Sequence, residues 1–345
     1  MAGDSIATKN SFYAFPTASY QPETSLAGGV SGAFYFSSKK LNRISSINSN
    51  ATYTLNNQFI ISSTPKIFLT NSNWYIYSNI SLKNYPDEYY GIGNTIGNTS
   101  LPYTNSNFSA NFQPQYIFSD HFFIGASLTM RYEDASFTSM SPNKQAIVNE
   151  NLTFTNPGWN PYQQLSTGIV MAIDTRNNQF YPDNGTFIKG TISTSNSKLG
   201  SSYSLIESTL DIRKYIPLNN SHIIALQLFS AGVLGNEGIP FQLLPTLGGL
   251  DQLRGFRQGM YRDKLLVLSQ AEYRLLLYKK WRAALFCSTG DVMNATNNQI
   301  EKVKIGYGVG LRYRINNARV NLRVDIAKNN YNNDLQLYIT AAEAF

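Results

Sequence analysis

A chain of 345 residues with 13 % aromatic but only 14 % charged residues, against a usual charged share of about a quarter, favours one large all-β domain over two ordinary soluble ones. Asn, Ser, Thr and Tyr take the place of the missing charges, which suits a surface with lipid on one side and water on the other. The formal net charge of +7 comes without a compact basic run interleaved with aromatics, which excludes nucleic acid as the partner, and no stretch approaches the roughly 18 apolar residues of a transmembrane helix.

In chain order, the segment MAGDSIATKN lacks the basic and apolar regions of a secretory signal, so an exported chain is here in its processed form. Strand candidates then fall at 11–20, 27–37, 46–55, 58–69, 74–85, 104–118, 122–132, 163–173, 186–195, 203–215, 222–233, 265–278, 282–290, 303–315, 319–327 and 335–345. They number about sixteen, and single-chain outer-membrane barrels require an even count. The first holds Pro16 and Pro22, each lacking a ladder donor. Either they weaken a lateral seam with the last strand, or they mark strand ends. Connections alternate between short turns, at 70–73, 119–121, 217–221, 279–281 and 316–318, and long loops, at 86–103, 133–162 and 236–264. That asymmetry is the habit of a membrane barrel.

The clearest period of two lies in KVKIGYGVGLRYRI, 302–315. Val303, Ile305, Tyr307, Val309, Leu311, Tyr313 and Ile315 alternate there with Lys304, Arg312, Arg314 and three glycines. In 319–327 Val320, Leu322, Val324 and Ile326 alternate with Arg319, Asn321, Arg323 and Asp325, and in the last segment Leu335, Leu337, Ile339 and Phe345 share one face. The expected fold is all-β, a transmembrane antiparallel β-barrel of about sixteen strands forming one domain over 1–345. The polar parity carries a basic stripe of Arg274, Arg282, Lys304, Arg312, Arg314, Arg319 and Arg323. It either attracts anionic solutes or an acidic client, or pairs with Glu272, Asp325 and Asp263.

The loop 236–264 contains Gly248-Gly249 and then Arg254-Gly255-Phe256. Gly255 permits a positive φ, Phe256 is an apolar anchor, and Arg254 offers a planar fork for a carboxylate. At this point the sequence resembles the Omp85 superfamily, the surface-antigen D15 and BamA-like barrels, whose sixth outer loop carries an Arg-Gly-Phe/Tyr motif and folds back into the lumen. The resemblance implies that Arg254 meets acidic residues on the next two strands. Glu272 matches the first. Ser288 stands where the second should be Asp, which implies a loop held less tightly and chiefly by Glu272. A second match is GIVMAIDTRNNQFYPDNG, 168–185, similar to the family's periplasmic turn. There Asp174, Thr175 and Arg176 can bond their own turn, and Pro182 and Gly185 set it. The terminal Phe345 matches the aromatic end by which such barrels are recognised for assembly. Specific motifs cover roughly 160–345. The POTRA modules that usually precede such barrels do not fit, since strands begin by about Phe12.

No enzyme is expected. His121 and His222, the two histidines, read as solvated turn residues rather than a base for a serine nucleophile, and no Gly-x-Ser-x-Gly is present. No His, Cys and carboxylate cluster has metal spacing, so neither metal nor cofactor is expected. Cys287 reads as a small apolar strand residue. The implied function is protein insertion or translocation at the bacterial outer membrane through the seam between first and last strands. The implied partners are membrane lipid and unfolded outer-membrane clients or other assembly subunits. The competing reading is a passive pore or lipid-handling barrel, as a subunit of a larger complex or a homo-oligomer.

Overall fold

The computed structural model describes residues 10–38, 43–70, 72–95, 100–137, 157–235, 238–294, 303–315, 319–331, 334–341 and 343–345. The turn expected at 316–318 and the middle of the 133–162 loop lie outside them. Alternating sequence becomes strand throughout: β1 (Ser11–Gln21), β2 (Ser25–Ser38), β3 (Arg43–Thr54), β4 (Phe59–Phe68), β5 (Trp74–Tyr89), β6 (Leu101–Ile117), β7 (Phe122–Phe137), β8 (Tyr162–Asp174), β9 (Gly185–Ser195), β10 (Leu205–Pro217), β11 (His222–Gly235), β14 (Leu265–Tyr278), β15 (Trp281–Met293), β16 (Lys304–Arg314), β17 (Asn321–Asn329) and β18 (Gln336–Ala341). These sixteen strands close into an antiparallel barrel. Between β11 and β14, the short strands β12 (Thr246–Leu247) and β13 (Tyr261–Arg262) form a separate two-stranded ribbon.

The burial pattern decides between a membrane barrel and a soluble sandwich. In β16 the apolar parity faces out, with Val309 53 % exposed, while Arg312 is 1 % exposed. The same inversion holds in β14 and β17, where Glu272, Arg274, Arg323 and Asp325 are buried and Val267, Leu322 and Ile326 are exposed. Water on the outside would penalise such an arrangement, whereas a lipid-facing wall requires it.

The connections that include 218–221 and 279–280 lie at one end of the barrel, the turn end, and those that include 90–100 and the segment between β11 and β14 lie at the other, the loop end. The strands run further toward the loop end than alternation alone indicates, so the expected loop at 86–103 contracts to 90–100. Tyr89, Tyr103, Trp159 and Phe241 pack there into an aromatic cluster, with ring centroids 4.5 to 5.8 Å apart.

The last strand departs from expectation. β18 ends at Ala341, and Phe345 does not share the outward face of Leu337 and Ile339. It is buried against Tyr215 and Ala225, and its carbonyl accepts a 3.1 Å bond from Arg274 Nη2. The cause is electrostatic: Glu343 is held by Arg312 at 3.1 Å and by Asn321 at 2.7 Å, which draws the segment inward. Pro16 lies within β1 opposite Val30 of β2, while Pro22 falls in the turn after β1, at a strand end.

Candidate functional site: the Arg254 loop

The ribbon pairs Thr246 with Arg262 and Leu247 with Tyr261, so the chain between them forms a closed tip. Phe256 anchors it, packing with Leu247, Leu253, Tyr261, Leu266, Leu268 and Val292 in an apolar cluster. Gly255 adopts φ +97, and a Cβ there would lie 2.5 Å from the Lys328 carbonyl. Both the dihedral and the close approach require glycine. Its amide donates to the Tyr338 hydroxyl at 3.0 Å, and its carbonyl accepts from Asn329 Nδ2 at 2.6 Å. On β16, Gly306 performs the reciprocal service, since a Cβ would collide with the Arg254 carbonyl.

This backbone seat leaves the Arg254 guanidinium fully buried. Nη2 bonds Glu272 Oε2 at 2.9 Å, Nη1 bonds Asp325 Oδ2 at 2.6 Å, and the guanidinium carbon lies 3.5 Å from the Phe286 ring centroid. Neither carboxylate serves Arg254 alone. Glu272 also accepts from Arg274 Nε at 2.9 Å and from Arg312 Nη2 at 3.4 Å, while Asp325 pairs with Arg312 Nη1. Arg323 reaches Asp325 at 3.6 Å and Asp251 at 3.4 Å. The guanidiniums of Arg254, Arg274, Arg312 and Arg323 thus share the enclosed carboxylates Glu272, Asp325 and Glu343 in one network.

Glu272 stands where the sequence placed it, and Ser288 does not. Ser288 donates to Gln270 Oε1 at 2.8 Å, and Gln270 in turn donates to Gln227 at 2.8 Å and to the Asp251 carbonyl at 3.0 Å. The expectation that the loop is held chiefly by Glu272 is therefore corrected. Asp325, two strands further on, supplies the second carboxylate. Its place on the polar parity of β17 was visible in the sequence, but its reach to Arg254 depends on barrel curvature and on how deep the loop tip sits.

Toward the loop end, further contacts that sequence did not single out attach the same segment. Glu23, buried in the β1–β2 turn, accepts from the Gln258 amide at 2.5 Å, and burial pushes its carboxyl up against the lowering effect of that amide. Arg257 pairs with Asp87 at 3.3 Å, and Lys304 Nζ lies 4.6 Å from the ring centroid of Tyr261. Arg262 donates to the carbonyls of Phe241 and Gly259 at 3.3 and 3.1 Å.

At the turn end, Asp174 Oδ1 accepts from the Arg176 amide at 3.1 Å and from its Nε at 2.9 Å, and Asp174 Oδ2 from Arg176 Nη2 at 2.8 Å. Thr175 Oγ1 accepts from the Thr186 amide at 2.8 Å, and Gly185 has φ +110. Arg176 also lies over the Phe187 ring at 4.3 Å. Pro182 sits in the same connection. His121 approaches the Asp174 carbonyl at 3.0 Å, and His222 is half-buried against the Tyr273 hydroxyl. Among the described residues no group of three or more His, Cys, Asp or Glu side chains could hold a metal ion.

Comparison with known proteins agrees with this architecture. The structure resembles BamA from Haemophilus ducreyi lacking POTRA domains 1–3, at TM-score 0.66 and 14 % identity over 97 % of this chain and 70 % of that one. It also resembles CdiB from Acinetobacter baumannii, at TM-score 0.58 and 13 % identity over 96 % of this chain and 59 % of that one. For CdiB from Escherichia coli the TM-score is 0.61 and the identity 9 %, over 95 % of this chain and 62 % of that one. The chain thus spans about three-fifths of either CdiB. No curated protein matches its sequence. The Omp85 superfamily domain, by contrast, matches residues 41–345, and the chain belongs to that superfamily of non-enzymatic outer-membrane barrels.

Proposed function

We propose that this barrel, acting as one domain, inserts or translocates protein at the bacterial outer membrane through the seam between β1 and β18. The observation that carries the reading is the seam itself. Among the described residues β1 and β18 share a single registered pair, Tyr20 with Ile339, whereas β1 and β2 share eleven. β18 has six residues, or about 20 Å of strand, against a hydrocarbon core of about 30 Å. Unpaired backbone groups at such an edge template an incoming strand, and a short strand thins the lipid beside it. In this reading Arg254, Gly255 and Phe256 hold the loop in the lumen through Glu272, while Asp174, Thr175, Arg176, Pro182 and Gly185 keep the opposite turn rigid. Pro16 reduces the bonding capacity of β1, and Phe345 is the recognition residue during assembly before it is buried.

A second reading, a passive pore, is favoured by a polar cavity of about 370 Å³ lined by Tyr77, Gln113, Lys189, Glu207 and Asp211, with none of the loop's residues in its wall. One experiment separates the two. The folding rate of an unfolded barrel client is measured in liposomes holding this protein, beside liposomes holding an unrelated barrel of similar size. Acceleration is expected, together with its loss when Tyr20→Cys and Ile339→Cys are oxidised in a Cys287→Ser background and its return on reduction. Acceleration that survives the lock rules out the seam. No acceleration, with steady bilayer conductance, establishes the pore.

A further inference from the structure

Not every arginine of the inner wall is neutralised. Glu272, Asp325 and Glu343 are taken by the network around Arg254, and Asp183 is taken by Arg319 at 2.8 Å. Among the described residues, Arg282 and Arg314 have no carboxylate within 4.0 Å. Arg282 is 9 % exposed, and its Nη1 is buried without a hydrogen-bond partner, as are Arg314 Nε and Arg274 Nη1. These groups are neighbours. Arg282 faces Arg312 across β15 and β16, and Arg314 is two residues further along the same face, its amide bonded to the Lys280 carbonyl at 3.0 Å. The ring of buried Tyr181, from the β8–β9 connection, lies 4.8 Å from the Arg282 guanidinium and 5.2 Å from that of Arg274.

An unpaired buried guanidinium costs several kcal/mol, and cation–π contact returns only about 2 kcal/mol of it. Contact with Tyr181 covers a face of each guanidinium but leaves Nη1 of both Arg274 and Arg282 without an acceptor, and in-plane N–H groups are the donors that grip an oxoanion. The carboxylates around the site, Glu272, Glu343 and Asp183, are already engaged by Arg274, Arg312 and Arg319 and leave the cluster cationic. We infer that Arg274, Arg282 and Arg314, braced by Tyr181, form a binding site for a small oxoanion of the phosphate class at the turn end of the lumen. The near-complete burial of Arg282 restricts the site to small ions, and the surplus positive charge draws anions into that mouth.

The test is isothermal titration of the folded barrel in detergent with sodium phosphate, at constant ionic strength set with chloride. Saturable binding is expected, displaced by sulfate, weakened at least tenfold in both Arg282→Gln and Arg314→Gln, and unchanged in the loop-end control Arg257→Gln. Closure of each variant is checked by its heat-modifiable migration on gels. If Arg282→Gln fails to close, the half-exposed Arg314 decides. Binding insensitive to these residues, no saturable binding, or binding of an acidic peptide but not of phosphate would each overturn the inference.

Discussion

Replacing Arg254 by alanine removes two charge-assisted hydrogen bonds, to Glu272 and Asp325, and the contact with Phe286. Charged bonds contribute roughly 1.5–3 kcal/mol each and a desolvated cation–π contact about 2 kcal/mol. Breaking a buried pair usually costs 3–5 kcal/mol because a charge is left without a partner. Here it is not: Glu272 keeps Arg274 and Arg312, and Asp325 keeps Arg312 and Arg323. With Arg254 gone, three guanidiniums face three enclosed carboxylates, so the wall loses a surplus cation rather than gaining an orphan anion. Relief of the desolvation that burying Arg254 costs offsets part of that sum, so the loss falls on loop docking, at about 3–4 kcal/mol, and not on barrel closure. Hydrogen exchange of a peptide spanning 253–260 reads this directly, because the Gly255 amide is buried against the Tyr338 hydroxyl. Exchange should accelerate between a hundredfold and a thousandfold while the barrel stays heat-modifiable. Unchanged protection, or collapse of the barrel itself, refutes the reasoning.

Other substitutions separate the parts of the same seat. Asp325→Asn should loosen the loop by about 2–3 kcal/mol, whereas Ser288→Ala, which loses only a bond to Gln270, should cost under about 1 kcal/mol and leave exchange at Gly255 within severalfold of wild type. Gly255→Ala should cost about 2 kcal/mol or more from its positive φ and the Lys328 carbonyl, read as lost protection of the same peptide. Glu23→Gln tests the other attachment. Because burial raises the Glu23 carboxyl above 4.5 in the folded protein, folding takes up a proton between that value and the folded one, so stability falls as pH rises through the window and is level above it. The glutamine keeps an acceptor for Gln258 and does not ionise, so a thermal midpoint at pH 7 equal to or above wild type, with a flatter profile down to pH 4, is expected; a lower midpoint counts against it.

The strands were legible because lipid outside and charge inside enforce one parity without interruption, as from Val303 to Ile315. A soluble wall would tolerate breaks. The tip of the loop was legible in Gly255 and Phe256, whose roles depend on local backbone and on a nearby apolar wall. Asp325 as the second partner was not, since alternation places it on the polar face without saying how far the loop descends. Phe345 was misplaced for a related reason: extrapolating the period of β18 cannot see the pull of Arg312 on Glu343. The cluster of Tyr89, Tyr103, Trp159 and Phe241 joins two strand ends to two separate connections, and contacts of that kind leave no periodic trace.

Moving the second carboxylate to β17 changes what the loop is attached to. Its tip is now bonded to Asn329 of β17 and to Tyr338 of β18, and Tyr338 directly precedes Ile339, the residue that closes the seam with Tyr20. A displacement of β18 that opens the seam must therefore stretch the Tyr338–Gly255 bond, and a released loop must free β18. Two equilibria that share one strand are coupled, and coupling between equilibria is reciprocal. Oxidising the Tyr20→Cys and Ile339→Cys pair in a Cys287→Ser background should raise protection of the Gly255 amide, and Tyr338→Phe should weaken that effect. In the other direction, Arg254→Ala should speed dithiothreitol reduction of the same disulfide, because the seam opens more often. A lock that leaves Gly255 exchange unaltered, together with a reduction rate indifferent to Arg254, would mean that the loop and the seam move independently despite their shared strand.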